Sequence, residues 1–192
     1  MASTPPGQRK LQILQALAAM LEQPRGEKIT TAALAKRLAV SEAALYRHFA
    51  SKAQMFEGLI DFVEQSVFTL VNQIVERDAP PREQAARIVA MLVQFAEKNP
   101  GMTRVMVGDA LVFENERLSA RMNQFFDKIE SQLRQCLRAA AELAGSQTPT
   151  VDANGRASAL TALAVGRLQR YTRSGFKRSP TEQIDMALGL LT

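Results

Sequence analysis

TTAALAKRLAVSEAALYRHFASKAQMF, residues 30–56, holds two short helical stretches on either side of a tight turn, with a third helix opening at Ser51. Leu34, Leu38, Val40, Leu45 and Phe49 are spaced to converge on one small core, and Ala35 is slim enough to let two helices cross closely. Thr30 and Thr31 are suited to cap the first helix and Ser41 the second. A hydroxyl at either point accepts a backbone N–H that the helix cannot itself satisfy. Only Leu38, Ala39 and Val40 separate the two, the connection length of a helix-turn-helix, although no glycine occupies it. Such a device sends its second helix, here Ser41 to His48, into the DNA major groove.

The outward side chains of that helix suit the task. Ser41 and Glu42 at its start can meet phosphate or base edges, and Ala43 and Ala44 allow close approach to thymine methyl groups. Tyr46, Arg47 and His48 are the longer arms. Arg47 can pair with guanine O6 and N7 or hold a phosphate, and Lys52, at the start of the next helix, has the place of a phosphate clamp. An ordinary helical hairpin would use the same good helix formers. Caps, turn length, core spacing and the Tyr46-Arg47-His48-Phe49 cluster occurring together favour the DNA reader.

Around this stretch the chain keeps a helical period. A first helix is predicted from about Gln8 to Gln23, ending at Pro24 and Gly26, with Leu11, Leu14, Leu17, Ala18 and Leu21 on its buried face. A long helix runs from Ser51, where Ser51 and Gln54 form a capping box, to about Arg77. Further helices are predicted over about 82–98, from the Asn99-Pro100-Gly101 break to about Phe113, and from about Glu116 to Leu143. After a loop over 145–151 come two more, over about 152–174 and 181–191. That makes nine helices and an all-α fold with no strand pattern and no repeat.

Composition bounds the function. With 192 residues, 46% hydrophobic and 22% charged, the chain can bury a substantial core. No apolar run approaches the ~20 residues that cross a bilayer, and MASTPPGQRK has no apolar signal core behind it, so the expected location is the cytoplasm. Residues 1–60 hold eight Lys or Arg against four Asp or Glu, nearly all of the chain's net charge of +5. This asymmetry favours nucleic acid as partner, with salt-sensitive binding. A single cysteine, Cys136, excludes an internal disulfide and reads as a small buried hydrophobe; a single histidine, His48, leaves no basis for a His-based metal site. With no glycine-rich phosphate loop and no Cys-His or Ser-His-Asp set, neither an enzyme nor a cofactor is expected.

The pattern LAxxxxVSxxALYRHFxSK, residues 34–52, resembles the DNA-binding signature of TetR-family regulators. Three longer segments, 41–64, 97–135 and 170–185, together resemble the nucleoid occlusion branch of that family, over nearly the whole chain. The resemblance implies a TetR-like fold: a helix-turn-helix domain of three helices (residues 1–50), then a helical regulatory and dimerisation domain (residues 51–192). It implies a homodimer formed through the last two helices, with Leu160, Leu163, Ala164, Leu168, Ile184 and Leu188 at the interface, although such residues equally suit an internal core. A two-fold dimer reads palindromic double-stranded DNA, with room for more than one dimer per site.

The same resemblance implies a second partner, the C-terminal tail of the division GTPase FtsZ, lying near the fourth and fifth helices. The matching positions are Phe62, Leu70, Met91, Gln94, Lys98 and Asn99. Lys98 suits an acidic peptide, and Phe62 and Met91 its apolar side chains. Lys98 and Asn99 equally suit the end of a helix. Two positions depart from the family pattern: Leu70 stands where a basic residue is expected and Gln94 where glycine is. The implied function is a nucleoid-associated factor that antagonises division-ring assembly when DNA-bound; the alternative is a ligand-responsive repressor. For the latter, Met91, Phe95, Met102, Met106, Phe113, Met122, Phe125 and Phe126 are candidate pocket residues, although such stripes are more often core. Arg167, Arg170, Arg173, Lys177 and Arg178 form a basic set that reads first as a solvated face.

Overall fold

A computed structural model describes residues 6–23 and 29–192. Among them the structure is all helical: α1 (Pro6–Leu21), α2 (Thr31–Arg37), α3 (Glu42–Tyr46), α4 (Lys52–Val75), α5 (Pro81–Lys98), α6 (Pro100–Met106), α7 (Glu116–Leu143), α8 (Pro149–Arg173) and α9 (Ile184–Leu191). The expected stop of the first helix at Pro24 and Gly26 lies outside the described residues. α7 has the bounds its sequence signals predict. α6 does not: it stops at Met106, well short of Phe113, because residues 107–113 fold into turns around Gly108 at φ +84°. α8 begins earlier than predicted, with Pro149 serving as its first residue, where a missing N–H costs nothing. α9 begins later, after Gln183 in the left-handed region at φ +51°.

The chain divides into two compact units. The first is Met1–Val63 with Pro100–Met122. Its core joins Ile13, Leu17 and Leu21 of α1, Leu34 of α2, Leu45 of α3, and Met55, Phe56, Leu59 and Ile60 of α4. From the later segment it takes Val105, Met106, Leu111, Leu118 and Met122. Residues 100–122 are thus part of the body that carries the helix-turn-helix, and no boundary between compact units falls at residue 50. α6 lies close against α1: a Cβ built on Gly101 would stand 2.2 Å from the Ala18 carbonyl oxygen.

Three ion pairs run along the same unit, Lys52–Glu114, Arg117–Glu57 at 2.7 Å and Arg121–Asp61 at 2.6 Å. Partners advance together in sequence, so the start of α7 runs parallel to the first turns of α4. Glu57 and Asp61 are two of the acidic rungs. The Arg117–Glu57 and Arg121–Asp61 pairs are partly exposed and contribute at most about 1 kcal/mol each. Lys52 and Glu114 are mostly covered, so each leaves the other poorly hydrated if removed.

The second unit comprises Glu64–Asn99 and Asn123–Thr192. Ile88 and Leu92 of α5, Phe125, Ile129 and Leu133 of α7, and Leu160 and Leu168 of α8 are fully enclosed. Phe125 meets Phe68 and Phe126 edge-on, with centroids 5.5 and 5.1 Å away. Cys136 is buried, and burial pushes its thiol above the usual range, so it behaves as the packed hydrophobe its spacing predicts. Ser146 and Thr148 hydroxyls donate to the Asp152 carboxylate at 2.5 and 3.1 Å and hold it below the usual carboxylate range, tying the loop before α8 to its first turns.

Candidate functional site

Hydroxyl caps set the two reading helices. Thr30 accepts from the Ala33 N–H at 3.1 Å and Ser41 from the Ala44 N–H at 3.2 Å. Thr31 does not share the capping. Its hydroxyl donates to the Glu42 carboxylate at 2.6 Å, linking the start of α2 to the start of α3. Glu42 is thereby held at the mouth of the recognition helix beside Thr31.

The turn between them closes as a Schellman motif. The Val40 N–H donates to the Ala35 carbonyl at 3.0 Å and the Ala39 N–H to the Lys36 carbonyl at 3.1 Å. Ala39 takes the position that favours glycine, with φ +53°. An alanine carries a steric penalty of about 1 kcal/mol there. Ala39→Gly should therefore stabilise the protein by about 0.5 kcal/mol, the gain being partly offset by glycine's greater freedom when unfolded. Urea titration checks this, and a lower midpoint for the variant would show that the turn is not strained.

Leu34, Leu45 and Phe49 are buried while Leu38 and Val40 are half-buried, so the small core forms on the expected positions. The opposite face carries the residues expected to meet DNA. Ser41, Glu42, Ala43, Tyr46 (45% exposed) and Arg47 are exposed, and Ala44 and His48 are half-buried beside them. Arg47 is the C-cap of α3, still helical in its backbone. α4 is capped by Ser51, which accepts the Gln54 N–H at 3.2 Å, while the Gln54 side chain takes the Ala50 N–H at 2.8 Å.

Lys52 departs from its expected role. Its ammonium lies against the Glu114 carboxylate and 5.5 Å from the centre of the Phe56 ring, so in this structure it braces the unit rather than presenting a charge for phosphate. Nothing adjacent in sequence signals Glu114. The only hint is that Glu57 and Asp61, and separately Arg117 and Arg121, stand four residues apart, the spacing of matching rungs on two helices.

The expected partner residues fall as follows. Phe62 (47% exposed) belongs to the first unit; Leu70, Gln94 and Lys98 are exposed and Met91 and Asn99 half-buried in the second. Asn99 is the C-cap of α5, and its amide donates to the Phe95 carbonyl at 2.8 Å, so at least part of its work is to end that helix.

The residues expected at the dimer interface need correction. Leu160, Ala164, Leu168, Ile184 and Leu188 are enclosed within the protomer itself, and only Leu163 is half-buried. These side chains repeat at helical spacing because they seat α8 and α9 on their own core. Exposed apolar positions of the same two helices lie elsewhere, at Val151, Met186 and Leu190. Most of the candidate ligand-pocket residues are also closed packing: Phe95, Met102, Met106, Met122 and Phe125 are buried. Two clefts in the second unit include none of them. One is lined by α5 and α9 residues such as Ala86, Ala90 and Leu188, the other by Arg167, Arg170, Arg178 and their neighbours. Among the described residues no helix is long and apolar enough to cross a membrane, and no group of His, Cys, Asp and Glu is arranged to hold a metal ion.

Comparison with known proteins agrees with this geometry. Residues 13–59 match the model of the bacterial regulatory proteins of the tetR family, and residues 83–192 match the SlmA-like model described as tetracyclin repressor-like, C-terminal domain. The nucleoid occlusion factor SlmA of Photobacterium profundum is 48% identical over 193 residues, covering 100% of this chain and 98% of that protein. The factor of the same name from Marinomonas sp. (strain MWYL1) is 51% identical over 174 residues, 91% of this chain and 88% of that protein. Among solved structures, the TetR family transcriptional regulator PfmR from Thermus thermophilus is similar with a TM-score of 0.74 and 21% identity, over 94% of this chain and 96% of that one. That last likeness speaks for the fold alone.

Proposed function

Since the chain belongs to the TetR family and, within it, to the SlmA nucleoid occlusion factors, we propose that it acts as a homodimer on palindromic chromosomal sites and, when bound there, antagonises FtsZ assembly over the nucleoid. The proteins of this family are DNA-binding regulators rather than enzymes. The single observation that carries the reading is the capped α2–turn–α3 unit with Tyr46 and Arg47 exposed on a chain about half identical to those factors end to end.

In this reading residues 1–50 are the reading head and residues 51–192 regulate and dimerise. Thr30, Thr31, Ser41, Glu42, Ala43, Ala44, Tyr46, Arg47 and His48 face DNA, and Phe62, Leu70, Met91, Gln94, Lys98 and Asn99 meet the FtsZ C-terminal tail. Exposure of Leu70, Gln94 and Lys98 in the second unit, and separately of Phe62 in the first, supports these positions as partner contacts. Two copies double the number of bases read, which gives a short recognition helix the specificity it lacks alone.

The test is sedimentation of FtsZ polymer with GTP, adding the protein alone and then with chromosomal fragments selected by its own binding. Pelleted polymer should fall only when both protein and selected DNA are present. Unchanged polymer with tightly bound DNA would sink the reading and leave a conventional repressor.

A further inference from the structure

The connector between α8 and α9, residues 174–183, is held to the last turn of α5 by hydroxyls. Ser179 and Thr181 both donate to the Glu97 carboxylate, and the Tyr171 hydroxyl at the end of α8 donates to the Glu97 carbonyl at 3.1 Å. Ser174 accepts the N–H groups of Lys177 and Arg178 at 3.2 and 2.9 Å, which fixes the start of the connector. Between this strap and α8 lies a cleft of roughly 380 Å³, whose lining includes Arg167, Arg170, Arg178, Ser179 and Glu182.

Three arginines line one small concave space. Arg167 is anchored, donating to the Pro180 carbonyl at 3.1 Å and the Glu182 carbonyl at 2.5 Å, while its Nε is buried without a hydrogen-bond partner. Among the described residues Arg167, Arg170 and Arg178 make no ion pair, although arginines elsewhere on the protein do. Guanidinium groups held in a concave site and lacking a carboxylate are matched by a bidentate oxyanion. Glu182 is the only acidic residue in the lining, so the field inside favours an anion.

Position identifies which anion. Ser179, in the wall of the cleft, bonds Glu97, the residue next to Lys98 on α5. The cleft therefore lies beside the last turn of α5, which carries Lys98, within the same compact unit. We infer that Arg167, Arg170 and Arg178 form a second subsite for carboxylates of the acidic peptide that the α5 surface takes, extending that surface past Lys98 onto the connector. This rests on the proposed binding of an acidic tail.

The experiment is fluorescence anisotropy of a labelled FtsZ C-terminal tail peptide titrated with the full-length protein on selected DNA. Arg170→Gln/Arg178→Gln should weaken peptide binding at least fivefold and flatten its salt dependence. Arg170→Lys/Arg178→Lys should recover part of the loss, and Arg173→Gln/Lys177→Gln, which removes the same charge outside the cleft, should have a smaller effect. Melting curves of all three confirm folding, and DNA binding is measured in parallel. Wild-type binding with no loss in the Gln pair would overturn the subsite and leave the proposed function intact. Absence of wild-type peptide binding would overturn both. Loss of DNA affinity with peptide binding retained would reassign the cleft to phosphate and equally overturn the inference.

Discussion

Gly101→Ala should lower stability by about 3 kcal/mol, a fall in melting temperature of roughly 6–12 °C for a chain of this size. The new methyl group would stand 2.2 Å from the Ala18 carbonyl oxygen and 3.3 Å from the Leu21 Cβ. Both are at or near the backbone of α1, so no rotamer change relieves the contact; α6 and α1 must move apart. Alanine's better helix propensity returns only about 1 kcal/mol. Gly58→Ala is the internal control. Its Cβ would meet the ends of the Leu14 side chain at 3.0 Å, and those can rotate away, so a change within about 1 kcal/mol is expected. Thermal denaturation of the two variants side by side checks the contrast, and equal melting temperatures would refute the close approach of α1 and α6.

That glycine shows where sequence reasoning stops. Asn99-Pro100-Gly101 reads as a helix break, and the break is there, but Gly101 is needed for a contact with Ala18, far upstream in α1. Local signals were sufficient for the reading head because its caps, its turn and much of its core are made by residues close in the chain. Thr30 and Ser41 cap as expected, and Ala39 supplies the turn at a strain that its identity alone does not reveal. The assignment of α8 and α9 side chains to a dimer interface failed for a different reason. Periodicity identifies a buried stripe and is blind to whether the cover comes from the same chain or another. Leu160, Ala164, Leu168, Ile184 and Leu188 are covered by their own protomer. The partner of Lys52 was illegible for the simplest reason, since Glu114 lies 62 residues away.

Arg47→Ala should cost roughly 1–3 kcal/mol of DNA binding, a five- to 150-fold weakening, whereas Lys52→Gln should change affinity by less than about threefold and act on stability instead. Both residues are basic and lie at or just past the end of the recognition helix, so sequence alone ranks them together. The structure separates them. Arg47 is exposed at the end of α3, while the Lys52 ammonium is covered and paired with Glu114, whose carboxylate would be left poorly hydrated by the substitution. Electrophoretic mobility shifts on a selected palindrome at several salt concentrations, with melting curves of the free proteins, distinguish the two. If Arg47 holds a phosphate, its loss lowers the log–log salt slope by about one per contact; if it reads a base, the slope stays and discrimination at one position relaxes. A loss for Lys52→Gln as large as that for Arg47→Ala would mean that Lys52 leaves Glu114 on the DNA complex. The pair would then be broken by binding rather than kept through it.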